Sequence, residues 1–139
     1  MQDPSGPPLE IAVGILRRGG NLLVAKRPEG SHLAGRWEFP GGKIRPREPR
    51  KEALRRELEE EIGVAVGHVT LLHRQDHRYD DREVRLWFYL CDEVPPGQEP
   101  RAQQGQEIRW VSIEELEELE TPEANGRVIE LLGDHLGKG

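Results

Sequence analysis

The sequence predicts one α/β domain in which a mixed sheet is covered by helices on both faces. Short segments rich in β-forming residues are interleaved with helical segments along the chain, a pattern that favours such a layered fold. The 139 residues are enough for one domain with a buried core, and no repeat or internal linker divides them. We therefore expect a single domain over residues 9–139, preceded by a flexible tail at residues 1–8.

The predicted strands are short, rich in β-forming residues, and bounded by residues that favour turns. They span residues 9–16, 21–26, 37–39, 69–77, 83–94 and 108–111. Gly19 and Gly20 favour a hairpin between the first two strands. A turn at residues 40–42 follows the third strand, and a polar turn at residues 79–82 joins the two long strands. A loop rich in Pro, Gly and Gln covers residues 95–106.

The predicted helices have residues at their ends that suit helix termini. The first spans residues 49–62, where Pro49 suits the first helical position and Gly63 suits the C-terminal stop. Further helices are expected over residues 113–120 and 126–136, after the last predicted strand. Because helices interleaved with strands pack on the sheet, these segments complete the prediction of an α/β fold.

The composition excludes several functional classes. A net charge of −6 provides no general basic field to attract a nucleic-acid polymer. Cys91 is the only cysteine, which excludes an internal disulfide and a cysteine-based zinc site and suits a reducing cytoplasm. The first residues do not have the pattern of a signal peptide, and no apolar run is long enough to span a membrane. We expect a cytoplasmic monomer that binds neither membranes nor nucleic-acid polymers.

The first predicted helix carries a run of carboxylates that repel one another. With about 100° of rotation per residue, one apolar stripe of this helix is buried. The stripe consists of Leu54, Leu58 and Ile62. Glu57, Glu60 and Glu61 share an arc of about 100° beside the stripe, and Glu61 lies at its edge.

A solvated acidic face is the usual explanation for such a run of charge. It fits poorly here, because a solvated face needs no carboxylate at the boundary of the core, and a half-buried carboxylate demands a partner. Clustered oxygen ligands suit a hard divalent cation such as Mg²⁺ or Mn²⁺. Gly41 and Gly42, just ahead of the helix, let the backbone approach this face and offer polar groups to an ion or a phosphate.

The glycine pair is not part of a P-loop, because Lys43 is followed by Ile44 and the first glycine of that motif is missing. A different motif is complete. Gly42, five residues, Glu48, seven residues and then the run RELEEEIGV, residues 56–64, match the Nudix box at every defined position. The chain thus resembles the Nudix hydrolase family.

The resemblance to the MutT type of this family, the 8-oxo-dGTP diphosphatases, covers nearly the whole chain. It includes LEIAVGI at the start, HLAGRWEFPGGK before the box, REVRLWFYL after it and PEANGRVIELL near the end. It implies an α/β/α sandwich with a mixed sheet between helices. It also implies Mg²⁺-dependent hydrolysis of a nucleoside triphosphate, with 8-oxo-dGTP as the expected substrate, to a monophosphate and pyrophosphate. The implied role is sanitisation of the nucleotide pool, which avoids mutation.

The resemblance also implies roles for the residues of the box. Glu57, Glu60 and Glu61 are the expected metal ligands, with the carbonyl of Gly42 as a fourth. Arg56 is expected to orient Glu57 through an ion pair, and Glu57 and Glu60 are expected to take part in catalysis.

Two further glutamates of this region have simpler expected roles. Glu48 is expected to tie the loop to the helix, and its alternative role is an N-cap ahead of Pro49. Glu59 points away from the arc and is expected to be solvated.

The cationic residues around the box are expected to contact phosphate. Arg27 and Lys43 match positions that face phosphate in MutT-like enzymes, and Arg82 and His32 match in the same way. The alternative for each of them is an ordinary surface charge.

Base recognition is expected from an apolar slot and one amide. Leu9, Ile11 and Phe39 could form the slot, although each could equally be a core residue. Asn125 matches the base-reading asparagine of the MutT group, and its alternative role is an N-cap for the last helix.

The chain departs from the MutT pattern in three places. Gln104 stands where the pattern has an acid that is a candidate ligand or base, and an amide cannot accept a proton at neutral pH. We expect Glu107 to take that role, and Glu57 to activate the water if it does not. Arg47 stands where the family often has Gly, so the turn could differ, and Pro49 replaces a small hydroxyl residue with little expected effect.

Other functions remain open at this point. Close Nudix relatives cleave CTP, modified dCTP or dinucleoside polyphosphates. A non-catalytic Nudix-like module that only recognises a base, as in adenine DNA glycosylases, is a different class, and the intact box argues against it.

Overall fold

The computed structural model describes residues 7–31, 34–79, 82–91 and 97–136, so most of the predicted N-terminal tail lies outside the described residues. The strands are β1 (Leu9–Arg18), β2 (Asn21–Lys26), β3 (Trp37–Glu38), β4 (Gly41–Lys43), β5 (Val69–Tyr79), β6 (Arg82–Cys91) and β7 (Ile108–Ser112). The helices are α1 (Arg50–Ile62), α2 (Ile113–Glu118) and α3 (Gly126–Leu136), and a 3₁₀ turn at Glu123–Asn125 precedes α3.

The strands form a mixed sheet, as the sequence predicts. Its order is β3-β2-β1-β6-β5, with β4 paired to β1 and β7 paired to β2. Strands β1 and β6 run parallel, from the pair Leu9↔Val84 to the pair Leu16↔Cys91, and the other recorded pairs are antiparallel. The long β1 therefore lies at the centre and contacts β2, β4 and β6.

Helices cover both faces of the sheet, because the central strand buries side chains on both sides. Ala12 and Leu16 of β1 pack in the core under α1. Val13 and Ile15 point the other way, into the core under α2 and α3. A Cβ at Gly14 would lie only 3.1 Å from the methyl groups of Leu58, so glycine lets α1 pack close to β1. This arrangement confirms the α/β/α sandwich.

The start of α1 differs slightly from the prediction. Pro49 is the N-cap, with φ −61° and ψ 140°, and the first helical residue is Arg50. The carbonyl of Pro49 accepts the first helical hydrogen bond, from the amide of Ala53 at 2.9 Å. At the other end, Gly63 adopts a left-handed φ of 68° and donates to the carbonyl of Glu59, which confirms the predicted stop.

Residues 40–42 are not simply a turn, because Gly41–Lys43 forms the short strand β4. It pairs with β1 through Val13↔Gly41, Ala12↔Gly42 and Ile11↔Lys43. A Cβ at Gly41 would lie 2.2 Å from the carbonyl oxygen of Ala12, so only glycine fits this close approach. Sequence patterns could not reveal the strand, since its partner is distant in the chain.

Other element ends also shift. Tyr79 and Arg82 belong to β5 and β6, while residues 80–81, the centre of the predicted turn, lie outside the described residues. The described part of β6 ends at Cys91, and α2 ends at Glu118. A capping box between Ser112 and Glu115 fixes the start of α2. Within the described ranges, no helix is long and apolar enough to cross a membrane.

Candidate active site

A cleft of about 520 Å³ lies on the face of the sheet that carries α2 and α3. Its walls come from β1, β4 and β6, from the ends of β3 and β5, and from the turn before α3. The lining residues are Leu9, Ile11, Val13, Arg27, Glu38, Phe39, Gly41, Gly42, Lys43, Tyr79, Arg82, Val84, Leu86, Pro122 and Asn125. Seven of the eight residues that the sequence suggests for substrate binding are among them, and the eighth, His32, lies outside the described residues.

One part of the cleft is apolar. Leu9 and Ile11 on β1 are partly buried there, and Phe39 is buried. The ring of Phe39 meets that of Phe88 edge to face, with 6.5 Å between centroids. The sequence left open whether these residues form a base slot or belong to the core. Each packs with the core and also lines the cleft, so both roles stay possible for it.

Asn125 contributes the polar group of this apolar part. It is 4% exposed and is the one buried polar residue recorded among the described ranges. It ends the 3₁₀ turn whose N-cap is Pro122, and α3 follows directly with Gly126, so Asn125 lies inside the helical segment and not at its cap. Its side-chain amide makes no hydrogen bond to another described residue, and it borders the cleft.

Among the described residues, three cationic side chains line the cleft. Arg27 donates from Nη1 to Oε1 of Glu38 at 2.7 Å. Lys43 and Arg82 are exposed, and neither forms an ion pair with a residue that the structure describes. His32, the fourth predicted phosphate contact, lies outside the described residues.

Glu38 is a site residue that the sequence did not single out. Glu38 lines the cleft, and burial raises the pKa of its carboxyl group while the neighbouring Arg27 opposes that rise. The sequence did contain a signal for Glu38, which stands between the apolar aromatic residues Trp37 and Phe39. A carboxylate in such an apolar setting must have a partner if it is buried.

The guanidinium of Arg56 joins the loop to the acidic helix. Its Nε and Nη2 donate to the two carboxylate oxygens of Glu48, at 2.8 and 2.9 Å, and Nη2 also donates to the carbonyl of Lys43 at 3.0 Å. Nη1 donates to Oε1 of Glu57 at 2.8 Å and to Oε2 of Glu60 at 3.3 Å. One side chain therefore holds two of the predicted ligand carboxylates in position.

Glu48 has the geometry of a tie between loop and helix, and the N-cap position belongs to Pro49. Hydrogen bonds from Arg56 and from the backbone N–H of Arg45 lower the pKa of Glu48 to about 2. Arg47 adopts a positive φ of 66°, so the loop takes a left-handed conformation that glycine would adopt at less cost.

Glu61 lies where the helix meets β4. Its Oε2 accepts a hydrogen bond from the backbone N–H of Gly41 at 3.1 Å. Burial raises the pKa of Glu61 to about 7, the Gly41 hydrogen bond opposes the rise, and the nearby carboxylates of Glu38 and Glu57 add to it. Without a cation, Glu61 therefore takes up a proton at higher pH than an ordinary glutamate does.

The oxygen donors where α1 meets β4 suit a hard divalent cation. A Cβ at Gly42 would lie 2.3 Å from the Glu57 carboxylate, so the acid rests directly against side-chain-free backbone. Within the described ranges, no three His, Cys, Asp or Glu side chains converge closely enough to hold an ion. Glu57 and Glu60 contact Arg56, and Glu61 contacts Gly41. Carboxylate chemistry fits such an ion, and side-chain rotations would be needed to gather the oxygens around it.

The family model of the NUDIX domain, which describes the sequences of that family, matches residues 12–131 of this chain. The chain belongs to the NUDIX domain family. It is similar to the 8-oxo-dGTP diphosphatase of Escherichia coli (strain K12), with 38% identity over 122 residues that cover 87% of this chain and 93% of the relative. The CTP pyrophosphohydrolase of the same organism is 43% identical over 70 residues, which cover 49% and 52% of the two chains.

A solved MutT structure has the same fold. It comes from work on MutT from Aliivibrio salmonicida and Vibrio cholerae and superposes with a TM-score of 0.76 at 32% identity, covering 90% of this chain and 96% of that one. These similarities confirm the predicted Nudix family, its MutT type and its fold, and they make the chain a Nudix hydrolase. Nudix hydrolases generally use divalent metal ions, and they act on nucleotides.

In this Nudix domain, the loop before β7, described from residue 97 onward, packs against the end of α1. The backbone N–H of Gln103 donates to the carbonyl of Glu61 at 3.0 Å, and Nε2 of Gln106 donates to the same carbonyl at 3.4 Å. Gln104 itself is exposed, and its backbone N–H donates to Oε1 of Gln106. The loop is therefore beside the Nudix box, although the Gln104 side chain has no recorded contact with a box residue in the described ranges.

The structure does not bring Glu107 to the box carboxylates. Its Oε2 pairs with Nη2 of Arg109 at 3.3 Å, both side chains are exposed, and Glu107 does not line the cleft. Ile108 and Trp110 of β7 pack against the core under α1, so the alternation along the strand turns Arg109, the ion-pair partner of Glu107, to the opposite face. Its role as the base stays a prediction, and the geometry does not favour it.

Proposed function

We propose that this Nudix hydrolase cleaves 8-oxo-dGTP to the monophosphate and pyrophosphate with Mg²⁺, and so sanitises the nucleotide pool. The observation that carries the proposal is the buried amide of Asn125 at the apolar part of a cleft that also borders the Nudix box. A purine base in the slot would place its triphosphate toward the cationic and acidic residues.

Base selection follows from hydrogen-bond chemistry. Guanine has acceptors at both O6 and N7, whereas oxidation at C8 puts a proton on N7. The Asn125 amide offers one donor and one acceptor, so its NH₂ group can meet O6 while its carbonyl accepts from N7–H. Ordinary guanine would set its N7 lone pair against that carbonyl, a buried mismatch that costs about 1–3 kcal/mol. Leu9, Ile11 and Phe39 would enclose the rings of the base.

Phosphate binding is assigned to the cations of the cleft. A triphosphate brings about four negative charges to a protein of net charge −6, so local positive charge is required. Lys43 and Arg82 are exposed at the cleft and can reach a phosphate, while Arg27 lies beside them and is paired with Glu38. The same cations would hold the polyphosphate of any nucleotide, so they do not decide the base.

Glu57, Glu60, Glu61 and the carbonyl of Gly42 would hold the metal. Bound Mg²⁺ supplies charge that polarises the phosphates and lowers the pKa of a coordinated water. Arg56 fixes Glu57 and Glu60 through its two contacts, so these carboxylates lose little freedom when they bind. Glu57 is the simplest acceptor for the proton of the attacking water, because Glu107 pairs with Arg109 and does not line the cleft, and Gln104 cannot accept a proton.

The testing experiment measures pyrophosphate release with a panel of nucleotides. We expect kcat/KM for 8-oxo-dGTP to exceed that for dGTP at least about tenfold, and Asn125→Ala to narrow the gap. Asn21→Ala is the matched control, because Asn21 is exposed on β2 and away from the cleft. A wild-type ratio near one would defeat the oxidised-guanine proposal and leave the hydrolase intact.

The same panel decides the alternatives. A strong preference for CTP or a modified dCTP would favour the pyrimidine activity of the CTP pyrophosphohydrolase relative, and cleavage of dinucleoside polyphosphates would favour the third candidate. Binding of a purine without pyrophosphate release would indicate a module that only recognises a base. Action on free nucleotides and the buried thiol of the single cysteine, Cys91, suit the reducing cytoplasm that we propose as its location.

A further inference from the structure

The 3₁₀ turn that carries Asn125 has an unusual cap. The backbone N–H of Asn125 donates to the carbonyl of Pro122 at 2.9 Å, which is the first hydrogen bond inside the turn. The amide of Ala124, one residue earlier, therefore has no acceptor within the turn. Pro122 provides no side-chain hydrogen bond as the N-cap.

The missing acceptor comes from a distant strand. Ala124 is only 2% exposed, so an unpaired amide there would be costly. Its N–H donates to the phenolic oxygen of Tyr79, at the end of β5, at 3.2 Å. Tyr79 thus replaces the local cap and joins the Asn125 turn to the sheet.

The ring of Tyr79 is itself held in place. It lines the cleft, and the ring of His77 packs against it with 4.5 Å between centroids and 61° between planes. Nε2 of His77 lies 3.4 Å from a carboxylate oxygen of Glu123, so the same strand contacts the turn at a second point. Burial raises the pKa of Tyr79, so its hydroxyl stays protonated at neutral pH.

We propose that Tyr79 is a positioning residue for base selection: through the Ala124 amide it fixes the turn on which Asn125 reads the base. An amide discriminates 8-oxo-dGTP from dGTP only if its donor and acceptor are held at the right place, because hydrogen bonds weaken steeply with misalignment. Tyr79 contacts Ala124, the residue directly before Asn125. Loss of this contact would therefore loosen the Asn125 side chain and leave the Nudix box untouched. This inference rests on the proposed function.

The test begins with Tyr79→Phe, which removes one oxygen and keeps the ring in the cleft. We expect the ratio of kcat/KM for 8-oxo-dGTP over dGTP to fall about three- to tenfold, the range for loss of one hydrogen bond. The loss should appear in KM for 8-oxo-dGTP while kcat stays within about twofold, because the carboxylates do not move. Tyr89→Phe is the matched control, since Tyr89 is buried in the core under α1 and does not line the cleft.

A double-mutant cycle separates positioning from a general structural effect. In an Asn125→Ala background, Tyr79→Phe should leave the selectivity ratio unchanged, because the group that it positions is gone. If the two substitutions instead lower the ratio independently, Tyr79 acts on the base by another route and the inference fails.

A second measurement does not depend on activity. In nucleotide-free protein, the amide of Ala124 should exchange its hydrogen at least about tenfold faster in Tyr79→Phe than in wild type. Unchanged exchange, or an unchanged ratio in a selective enzyme, would overturn the role of Tyr79. A wild-type enzyme without selectivity would instead overturn the proposed substrate, whatever the exchange of Ala124, so the two failures are distinguishable.

Discussion

Gly42→Ala should lower the catalytic rate of this protein and leave its stability nearly unchanged. A Cβ at this position would lie 2.3 Å from both Cδ and Oε2 of Glu57, whereas ordinary contacts of a Cβ begin at 3.4 Å. The carboxylate must therefore retreat by about 1 Å, and its 2.8 Å hydrogen bond with Arg56 must change with it. Misplacement of a reacting group by about 1 Å costs on the order of a hundredfold in rate.

We expect Gly42→Ala to lower kcat about a hundredfold in a pyrophosphate-release assay at saturating 8-oxo-dGTP and Mg²⁺. The free energy of unfolding in urea should change by less than about 1 kcal/mol, because the crowded group is the end of a flexible side chain. Circular dichroism should match that of the wild type.

Gly41→Ala is the informative partner of this variant. Its Cβ would lie 2.2 Å from the carbonyl oxygen of Ala12 and 2.8 Å from the Cα of Val13, both backbone atoms of β1. Backbone in a paired strand cannot retreat easily, so we expect a loss of about 1–3 kcal/mol or more in stability. If Gly42→Ala keeps kcat within about threefold of wild type, or if it unfolds as Gly41→Ala does, the steric coupling between Gly42 and Glu57 is refuted.

The other predictions concern the acids of the site. A metal chelator should abolish turnover. Glu57→Gln or Glu60→Gln should lower kcat at least about a hundredfold. Near-wild-type turnover of both variants at saturating Mg²⁺ would show that α1 is not part of the active site. Neither Glu107→Gln nor Gln104→Ala should lower kcat by more than about threefold, and a loss of about a hundredfold in either would identify that residue as the missing base or ligand. In chelator, the free energy of unfolding should fall by up to about 3 kcal/mol as the pH rises from 4.5 to about 7, because the raised pKa of Glu61 makes folding favour its protonated form. Urea titrations across that pH range should show the fall in the free energy of unfolding of the wild type. An equal fall in Glu61→Gln would show that the Glu61 carboxyl group does not cause it.

Local patterns in the sequence predicted the fold well where neighbours in the chain decide the structure. The apolar stripe of α1 and its stop at Gly63 follow from helical spacing and from the left-handed conformation that glycine adopts readily. The strands were recognisable for the same reason, since alternation and turn residues are short-range features. Their ends were less predictable, as the strand at Gly41–Lys43 illustrates, because pairing with β1 extends the sheet beyond any local signal.

The sequence by itself determined the order of the elements, the family and the spacing of the box, because these depend on residues a few positions apart. The tertiary structure decided which groups meet: Arg27 pairs with Glu38, and Tyr79 caps the turn of Asn125, whereas Glu107 does not line the cleft. Such contacts join segments far apart in the chain and depend on strand register, which turns a side chain to the other face when it shifts by one residue. The residues that line the cleft share one face of the sheet because of that register.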